Sequence, residues 1–453
     1  MSDKNNNLKD LKHNQNKITG GGTVIVLNTG AIINPEAEAM LQALHSRSVG
    51  GLEGHLKILA EKGPDNFMKN FYVGYGHKSI GDCGSITIFI EGISMLVAKA
   101  VQDWALYSGQ ESSTRYIDFQ TQPFKNPINT KESENILENW RTFYKEALKP
   151  TEGYLQQQFP INEGESENIY KKAISARAFD ILRGFLPAGA MTNMAWHTNL
   201  RQAADKLMLL RQHPLQEVKN VAEALEKTLI AAFPNSFSHK HYEETENYNK
   251  YWMENDYYYH NKNCEDFKIL NNSIDTNLLP KEVLEKRPAK TELPKYLSEA
   301  GDIQIEFLLD FGSFRDIQRH RAVIQRMPLL TTEIGFENWY ISELPKEFQE
   351  KAKDLLKTQE EKIKNLNISK EEKQYYTAMG YKISNRLTAG LPALVYLVEL
   401  RATRFVHPTL RKKAKLMADF LTNTFSKNGL KIYLDPEIDR FDIKRGEQDI
   451  TLK

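Results

Sequence analysis

Hydroxyl, carboxylate, guanidinium and phenol groups are concentrated in one nine-residue segment that directly follows an apolar helical pattern. Its polar members are Ser108, Glu111, Ser113, Arg115 and Tyr116. Because a guanidinium can bind phosphate through two parallel hydrogen bonds, hydroxyls and an arginine at the end of a helix suit phosphate binding. A solvated turn that caps the helix would have a similar composition. The segment therefore indicates either a phosphate site or a polar turn.

A second group of cations lies in residues 315–321, which read Arg-Asp-Ile-Gln-Arg-His-Arg. We expect a helix here, and successive helix residues point about 100° apart, so one face cannot carry all the cations. They could hold an extended polyanion such as a pyrophosphate from several sides. The alternative is a charged helix that is neutralised by local acids such as Asp310 and Asp316.

Two further segments were considered as ligand sites. Residues 74–79, Gly-Tyr-Gly-His-Lys-Ser, lack the spacing of a phosphate-binding loop, so we exclude nucleotide binding of that kind. A helix is predicted to begin at Trp196. Asn199 and Arg201 within it could share a ligand only near a helix end.

Alternating apolar residues predict strands at 23–27, 86–90 and 303–307, and a helical pattern covers 36–44. The strand at 86–90 and the strand at 303–307 both lead through a glycine into a helical segment. Two later segments also resemble each other, each with Leu-Arg, then His-Pro, then an apolar helix. Arg211 and Arg401 are 190 residues apart, and the two histidines are 194 apart. The pattern predicts an internal repeat that needs gaps.

These patterns predict an α+β fold of two similar domains, each a small antiparallel sheet with long helices. Residues 1–22 are predicted to be a disordered tail, 23–238 the first domain and 280–453 the second. Residues 239–279 are rich in Tyr, Asn and Glu. They are interpreted as a connection lying on the folded body, or equally as a surface insertion.

The composition is that of a globular protein with a sizeable core, since 40% of the 453 residues are hydrophobic and 26% charged. The net charge of +1 argues against a large cationic surface for nucleic acid. No apolar run approaches the about 18 residues of a membrane span. With two cysteines and no secretory signal, a cytoplasmic location is expected, with no metal site.

Taken in order, the segments of the first half resemble the flavin-dependent thymidylate synthase family. His77 and Ser79, the strand at 86–90 and the segment from Ser108 resemble that family's signature region, whose pattern is R-H-R-x-x-S-x-N-E-x-S-x-R-Y. The segment from Thr192 to Arg211 resembles the family's T-x-N-x-R…L-R helix. The order and spacing match over residues 76–230.

The two halves depart from the family pattern in complementary ways. In the first half the family's R-H-R triplet falls on Asp-Trp-Ala at 103–105, and Gln110 replaces its asparagine. In the second half, residues 319–321 resemble the missing triplet, but the hydroxyl and arginine series that should follow is absent. Because family members are homotetramers with shared active sites, a homodimer of this fused chain could imitate the tetramer and build composite sites between halves.

The resemblance implies methylation of dUMP to dTMP with FAD, NADPH and methylenetetrahydrofolate. No side-chain nucleophile is implied. It implies substrate binding by Ser108, Glu111, Ser113, Arg115, Tyr116, Arg211 and Arg401. It implies FAD binding by His77, Ser79, Asn199, Arg201, Arg319, His320 and Arg321.

Two other functions are compatible with the sequence. One is an enzyme of the same architecture that acts on another pyrimidine or on a nucleic-acid base, and a substrate panel would distinguish it. The other is a non-catalytic binding or scaffold protein descended from such an enzyme. Random decay would strike the same motif in both halves about as often as different motifs, so the complementary losses favour the enzyme.

Overall fold

The computed structural model describes residues 13–27, 34–46, 51–74, 76–114 and 117–435. The strands of these residues are, in chain order, β1 (His13–Lys17), β2 (Thr23–Leu27), β3 (Ser85–Ser94), β4 (Ser108–Glu111), β5 (Met191–Asn199), β6 (Tyr258–Tyr259), β7 (Phe267–Asn272), β8 (Asp302–Asp310), β9 (Ile324–Gln325), β10 (Met327–Pro328) and β11 (Lys382–Gly390).

The α-helices of the same residues are α1 (Pro35–His45), α2 (Gly51–Lys62), α3 (Asp65–Phe67), α4 (Lys78–Gly81), α5 (Met95–Gln102), α6 (Lys131–Gln158), α7 (Glu167–Leu182), α8 (Leu200–Leu210), α9 (Gln216–Ala232), α10 (Glu243–Asp256), α11 (Lys281–Lys286), α12 (Phe311–Ile317), α13 (Asn338–Ser342), α14 (Lys346–Asn365), α15 (Lys370–Lys373), α16 (Leu391–Arg401) and α17 (Pro408–Phe425). No helix of the described residues is long and apolar enough to cross a membrane.

The predicted fold class is confirmed. The structure is 54% helix and 17% strand, and the strands form separate small sheets rather than alternating with helices around one parallel sheet. The larger two sheets are antiparallel throughout. Long helices accompany both of them, as an α+β architecture requires.

Both antiparallel sheets have the same strand order. One runs β1-β2-β3-β5-β4 and the other runs β7-β8-β11-β9, so removing β1 makes them equivalent. In each sheet the first long strand, β3 or β8, leads into a helix at once, and the second, β5 or β11, leads into a pair of helices. This correspondence supports the predicted repeat with gaps.

The buried side of each sheet comes from the alternation that predicted the strands. Ile86, Ile88 and Ile90 on β3 are fully buried, and Ile303 and Ile305 on β8 are buried in the same way. Successive strand residues point to opposite faces, so this alternation places one face of each sheet in a core.

Two compact units divide the described residues. Unit 1 comprises those within 1–116 and 191–256, and unit 2 comprises those within 117–190 and 257–435. Helices α6 and α7 therefore belong to unit 2, although they precede β5 in the chain. The second sheet includes β7 and so begins before residue 280. The domain boundaries predicted from the repeat, 23–238 and 280–453, stay a prediction.

The predicted disorder of residues 1–22 is wrong for residues 13–22, while residues 1–12 lie outside the described part of the chain. Strand β1 pairs with β2 in antiparallel register from Lys17↔Thr23 outward. The turn between them places the backbone of Gly22 against Glu91, where a Cβ would meet the carbonyl oxygen at 2.4 Å. Ile18 is buried beneath this turn. Backbone pairing to β2 stabilises β1, and because the side chains of β1 are polar they gave no sign of a strand.

Two predicted helices have different limits in the structure. Trp196 lies within β5, and the helix begins only at Leu200. The helix of the cationic segment ends at Ile317, so the residues at 319–321 follow it rather than lie on it. Trp196 is paired within the sheet through β5, and the cationic residues follow α12, which comes directly after β8. In both places the contacts of the folded protein outweigh the local helical pattern.

Residues 239–279 contain α10, β6 and β7 and are divided between the two units. Tyr257 and Tyr259 are buried, in agreement with a segment lying on the folded body. The expectation that its aromatic residues avoid water is wrong for Tyr242, Tyr248 and Tyr251, which are about two-thirds exposed, at 65%, 68% and 68%.

Candidate functional site

The start of helix α8 places two predicted ligand-binding residues at a helix end. Asn199, the last residue of β5, is the N-cap, and its side-chain oxygen accepts the backbone N–H of Gln202 at 2.9 Å. This bond satisfies one of the free amides of the first turn. Asn199 therefore positions the helix that carries Arg201, and the expected proximity to a helix end is found.

Arg201 lies against the short helix α4. Its Nε donates to the Asp82 carboxylate at 2.7 Å, and its Nη1 is 3.9 Å from Asp205. Lys78 of α4 is 3.5 Å from the same Asp205 carboxylate. The guanidinium thus contacts two acids, of which it shares Asp205 with the Lys78 ammonium, and these contacts fix its position.

His77 precedes α4 and Ser79 lies on it, so both residues are in the part of unit 1 that adjoins Arg201. Both side chains are exposed. The structure therefore brings His77, Ser79, Asn199 and Arg201 to neighbouring elements, although they are more than a hundred residues apart in sequence.

Arg211 follows the last turn of α8 and is engaged by two carboxylates. Its Nη1 donates to Glu226 of α9 at 3.1 Å, and its Nη2 donates to Glu246 of α10 at 2.6 Å. Gln212 also donates to Glu246, at 2.6 Å. These acids were missed by the sequence interpretation because they come from separate elements, one of them within an aperiodic segment.

A pocket of about 180 Å³ in unit 1 lies between α4, α8, α9 and the start of α10. Arg201 and Arg211 both line it, together with Lys78 and several aromatic residues. Burial raises the pKa of Tyr72, so this phenol stays protonated. The pocket combines flat apolar walls with hydrogen-bond donors, as small-molecule sites do.

The polar segment at 108–111 forms β4, which pairs with β5 near its end. Glu111 accepts hydrogen bonds from Lys99 at 3.2 Å and from Gln102 at 2.8 Å. This ion pair is almost fully shielded from solvent, with side chains 1% and 5% exposed. Glu111 therefore has a structural partner inside unit 1.

The remaining members of that segment have mixed outcomes. Ser108 and Ser113 are exposed and could meet a ligand. Arg115 and Tyr116 lie outside the described residues. Neither a phosphate site nor a simple turn is established for the segment.

A lysine that the sequence interpretation missed lies beside Asp103 and Trp104, where the resemblance indicated a lost cationic triplet. Lys206 of α8 donates to the Asp103 carbonyl oxygen at 2.7 Å and lies 5.8 Å from the centre of the Trp104 ring. Burial lowers the pKa of Lys206 to about 8. Lys206 is the one lysine of α8, and its position could have indicated this contact only with knowledge of which helix face packs on the loop.

In unit 2, His320 and Arg401 form a direct contact. The Arg401 Nε donates to the His320 Nε2 at 2.7 Å, which requires a neutral imidazole at that nitrogen. Burial, assisted by Arg401, lowers the pKa of His320 to about 3. His320 is therefore an acceptor that positions Arg401.

The flanking arginines are exposed. Arg319 keeps 59% of its side chain in solvent and lies 3.8 Å from the Asp316 carboxylate, and Arg321 is exposed as well. Although burial opposes it, Arg319, Arg183 and Arg401 lower the pKa of Asp316. The predicted neutralisation of this segment by a local acid is thus found for Asp316.

Asp310, the other acid considered, serves a different purpose. It caps α12, accepts the Tyr340 hydroxyl at 2.7 Å and accepts the Thr409 hydroxyl at 2.6 Å. His407 contacts Thr409 at 2.8 Å in the same buried network. No local pattern predicts this network, because its members come from four separate elements.

The predicted composite site, which would join residues 319–321 to the first half, stays a prediction. Among the described residues, no group of His, Cys, Asp and Glu is arranged to hold a metal ion.

Comparison with known proteins gives a family match for part of the chain. The model of the family described as thymidylate synthase complementing protein matches residues 34–235. This segment contains α4, β3, β5, α8 and all of α9, and therefore both arginines of the pocket.

Three relatives match over most of their length. A UPF0159 protein of Chlamydia muridarum (strain MoPn / Nigg) is 24% identical over 418 residues, which is 78% of each chain. One from Chlamydia pneumoniae is 24% identical over 405 residues, 76% of each chain. One from Thermoplasma acidophilum is 23% identical over 430 residues, 78% of this chain and 85% of that one.

A distant match exists among solved structures. It is the crystal structure of a UMP/dUMP methylase, PolB from Streptomyces cacaoi, bound with 5-Br UMP. Identity is 16%, the match covers 45% of this chain and 87% of that one, and the TM-score is 0.29. The predicted resemblance is confirmed by the family model: residues 34–235 match the family described as thymidylate synthase complementing protein, which is flavin-dependent.

Proposed function

We propose that this protein is an FAD-dependent enzyme that methylates dUMP to dTMP, with methylenetetrahydrofolate as carbon donor and NADPH as reductant. The observation that carries the proposal is the pocket of unit 1. Two arginines of the family-matched segment, Arg201 and Arg211, line it together. A pyrimidine ring is flat, largely apolar on its faces and polar at its edge, which is the chemistry that this pocket offers.

Arg211 is the residue that we assign to the uracil ring. A guanidinium beside a carbonyl oxygen would polarise it and stabilise the negative charge that develops on the ring during substitution. The exposed Ser108 and Ser113, with Glu111 and with Arg115 and Tyr116, are assigned to the rest of the nucleotide. Arg401 has the corresponding place in the second half, where His320 holds it.

The donor residues fit a flavin dinucleotide. Arg319 and Arg321 are exposed cations separated in the chain only by His320, and guanidinium groups suit a pyrophosphate. With His320 they are assigned to FAD binding, and His77, Ser79, Asn199 and Arg201 are assigned to the same cofactor. When bound, the flavin supplies the hydride transfer that no side chain can perform.

The overall reaction balances with these reactants. The methylene carbon of the folate and a hydride that originates on NADPH together form the new methyl group at C5 of uracil. The proton at C5 is lost, and the two folate nitrogens that release the carbon take up two protons, so one proton from solvent is consumed. The products are dTMP, tetrahydrofolate and NADP⁺. The residues of this chain bind, orient and polarise, and no covalent bond to a side chain is assigned.

The test is product formation by the purified full-length chain with FAD, NADPH and methylenetetrahydrofolate. We expect a yellow protein with absorbance near ~450 nm that converts dUMP to dTMP. UMP and dCMP supplied in the same way serve as the substrate panel. A folded, flavin-loaded preparation that forms no dTMP, or that turns over only another pyrimidine, would contradict the proposal.

A further inference from the structure

Arg211 is held by a segment outside the family-matched residues. Its Nη2 is bound to Glu246, which lies in the first turn of α10. The family model ends at residue 235, so this carboxylate comes from outside the family-matched residues. The contact joins the proposed substrate arginine to the segment 239–246, which forms one wall of the pocket.

This segment is attached at more than one point. Gln212 donates to the second oxygen of Glu246, and His241 contacts Glu226 at 3.1 Å. The Arg211 and Glu246 side chains are both only 18% exposed, so solvent weakens their ion pair little. Hydrogen bonds between two charged groups are about twice as strong as neutral ones.

The contact leaves Arg211 incompletely satisfied. Both terminal nitrogens donate to carboxylates, yet its Nε is buried with no partner among the described residues. A buried donor without a partner is costly, so the arrangement is not the best one available to this guanidinium. A ligand that offers a carbonyl oxygen could provide a better one.

We propose that Glu246 is an internal ligand of Arg211, which occupies the guanidinium when the pocket is empty and must give way to an external ligand. The inference rests on the proposed function, in which that ligand is the uracil ring of dUMP. Glu246 then sets the affinity of the site, because binding has to break its charge-assisted bond. Arg211, once released, favours ligands with a carbonyl oxygen over those with an amino group at the same position, because a guanidinium only donates hydrogen bonds.

The first test compares Glu246→Gln with Glu244→Gln in the full-length, FAD-loaded protein. Glu244 is exposed in the same turn of α10, so its variant is the matched control. Calorimetric titration with dUMP should show Kd lowered by about tenfold in Glu246→Gln, the scale expected when a charged partner becomes neutral. The control should bind as the wild type does. If the wild type binds dUMP, equal or weaker binding by Glu246→Gln would overturn the inference.

A second measurement needs no nucleotide. Phenylglyoxal modifies accessible guanidinium groups, and mass spectrometry gives the rate at Arg211 relative to other arginine peptides. We expect the rate at Arg211 to rise severalfold in Glu246→Gln and to stay unchanged in Glu244→Gln. An unchanged rate in both variants would overturn the inference, whatever the titration shows.

The two measurements separate the two proposals. If Arg211 becomes more reactive in Glu246→Gln but no variant binds dUMP, the internal contact stands and the proposed function fails. If the wild type binds dUMP and Arg211 reactivity does not change, the proposed function stands and the internal ligand does not.

Discussion

Buried charge at single residues determines how the site of unit 1 is built. Arg201 and Arg211 each have acids within hydrogen-bonding distance, whereas Lys206 donates only to a carbonyl oxygen. An ammonium without a carboxylate loses hydration on folding and gains little in return. That difference makes Lys206 the residue whose charge should cost stability.

We expect Lys206→Met to stabilise the protein at pH 7 by about 2 kcal/mol. Burial lowers the pKa of Lys206 from its ordinary 10.5 to about 8, which corresponds to a cost of about 3 kcal/mol for the charged side chain. The hydrogen bond that the variant loses offsets part of this gain. Below pH 8 both folded and unfolded states are protonated and the folded state bears the full cost. As the pH rises from 8 to 10.5 the cost disappears, so the gain should shrink.

Urea unfolding between pH 7 and 10 measures this gain. Lys145→Met, at an exposed position of α6, is the control and should change little. A variant less stable than the wild type at pH 7, with a difference that does not vary with pH, would contradict the account of Lys206.

At the same scale, residue identity predicted only part of the site. The sequence indicated that Asn199 and Arg201 could share a ligand only near a helix end, and the structure meets this condition because the helix begins at Leu200 rather than at Trp196. The ion-pair partners of Arg201 and Arg211 could not be predicted, because Asp82 and Glu246 come from elements that are distant in the sequence. Ion pairs between elements depend on the fold, and a short stretch of sequence does not reveal which elements the fold brings together.

At the scale of elements, the two sheets have equivalent strand–helix junctions, β3 to α5 and β8 to α12, which are capped by different side chains. At the end of β3, Ser94 caps α5 and donates to Glu217 of α9 at 2.6 Å. At the end of β8, Asp310 caps α12 and accepts from Thr409 of α17 at 2.6 Å. A hydroxyl and a carboxylate have changed places, and each pair ties a strand–helix junction to a later helix.

Removing the hydroxyl from the first junction should be costly. Ser94→Ala would leave the buried Glu217 carboxylate with one backbone donor and α5 without its cap, so we expect a loss of about 2 kcal/mol in unfolding free energy. Denaturant unfolding measures it, with Ser108→Ala at an exposed position as the comparison. A loss equal to that of Ser108→Ala would show that this junction does not stabilise the fold.

The element pattern was partly predictable for a physical reason. Buried residues alternate with less buried ones along β3 and in the first part of β8, so this alternation is visible in the sequence. Strand β1 is polar and is stabilised by backbone pairing, which leaves no hydrophobic signal. The helix limits near Trp196 and Ile317 depend on sheet packing in the same way.

For the whole molecule, the repeat explains how one chain carries two sheets of the same strand order. The sequence predicted this doubling from motif order, even though the spacing between equivalent residues varies. What it could not predict is the division into units, because α6 and α7 pack with residues that follow them by two hundred positions. Long-range packing of this kind has no signal in local periodicity.

The central claim is that dUMP binds in the pocket containing Arg211 and that its C5 proton is replaced there by a methyl group. Release of tritium to water from dUMP labelled at C5 measures that event directly, with FAD, NADPH and methylenetetrahydrofolate supplied. We predict release by the wild type and by Glu244→Gln, and a rate about a hundredfold lower in Arg211→Ala, the usual scale for losing one transition-state donor. Release at the wild-type rate by Arg211→Ala, or no release by a folded, flavin-loaded wild type, would contradict the claim.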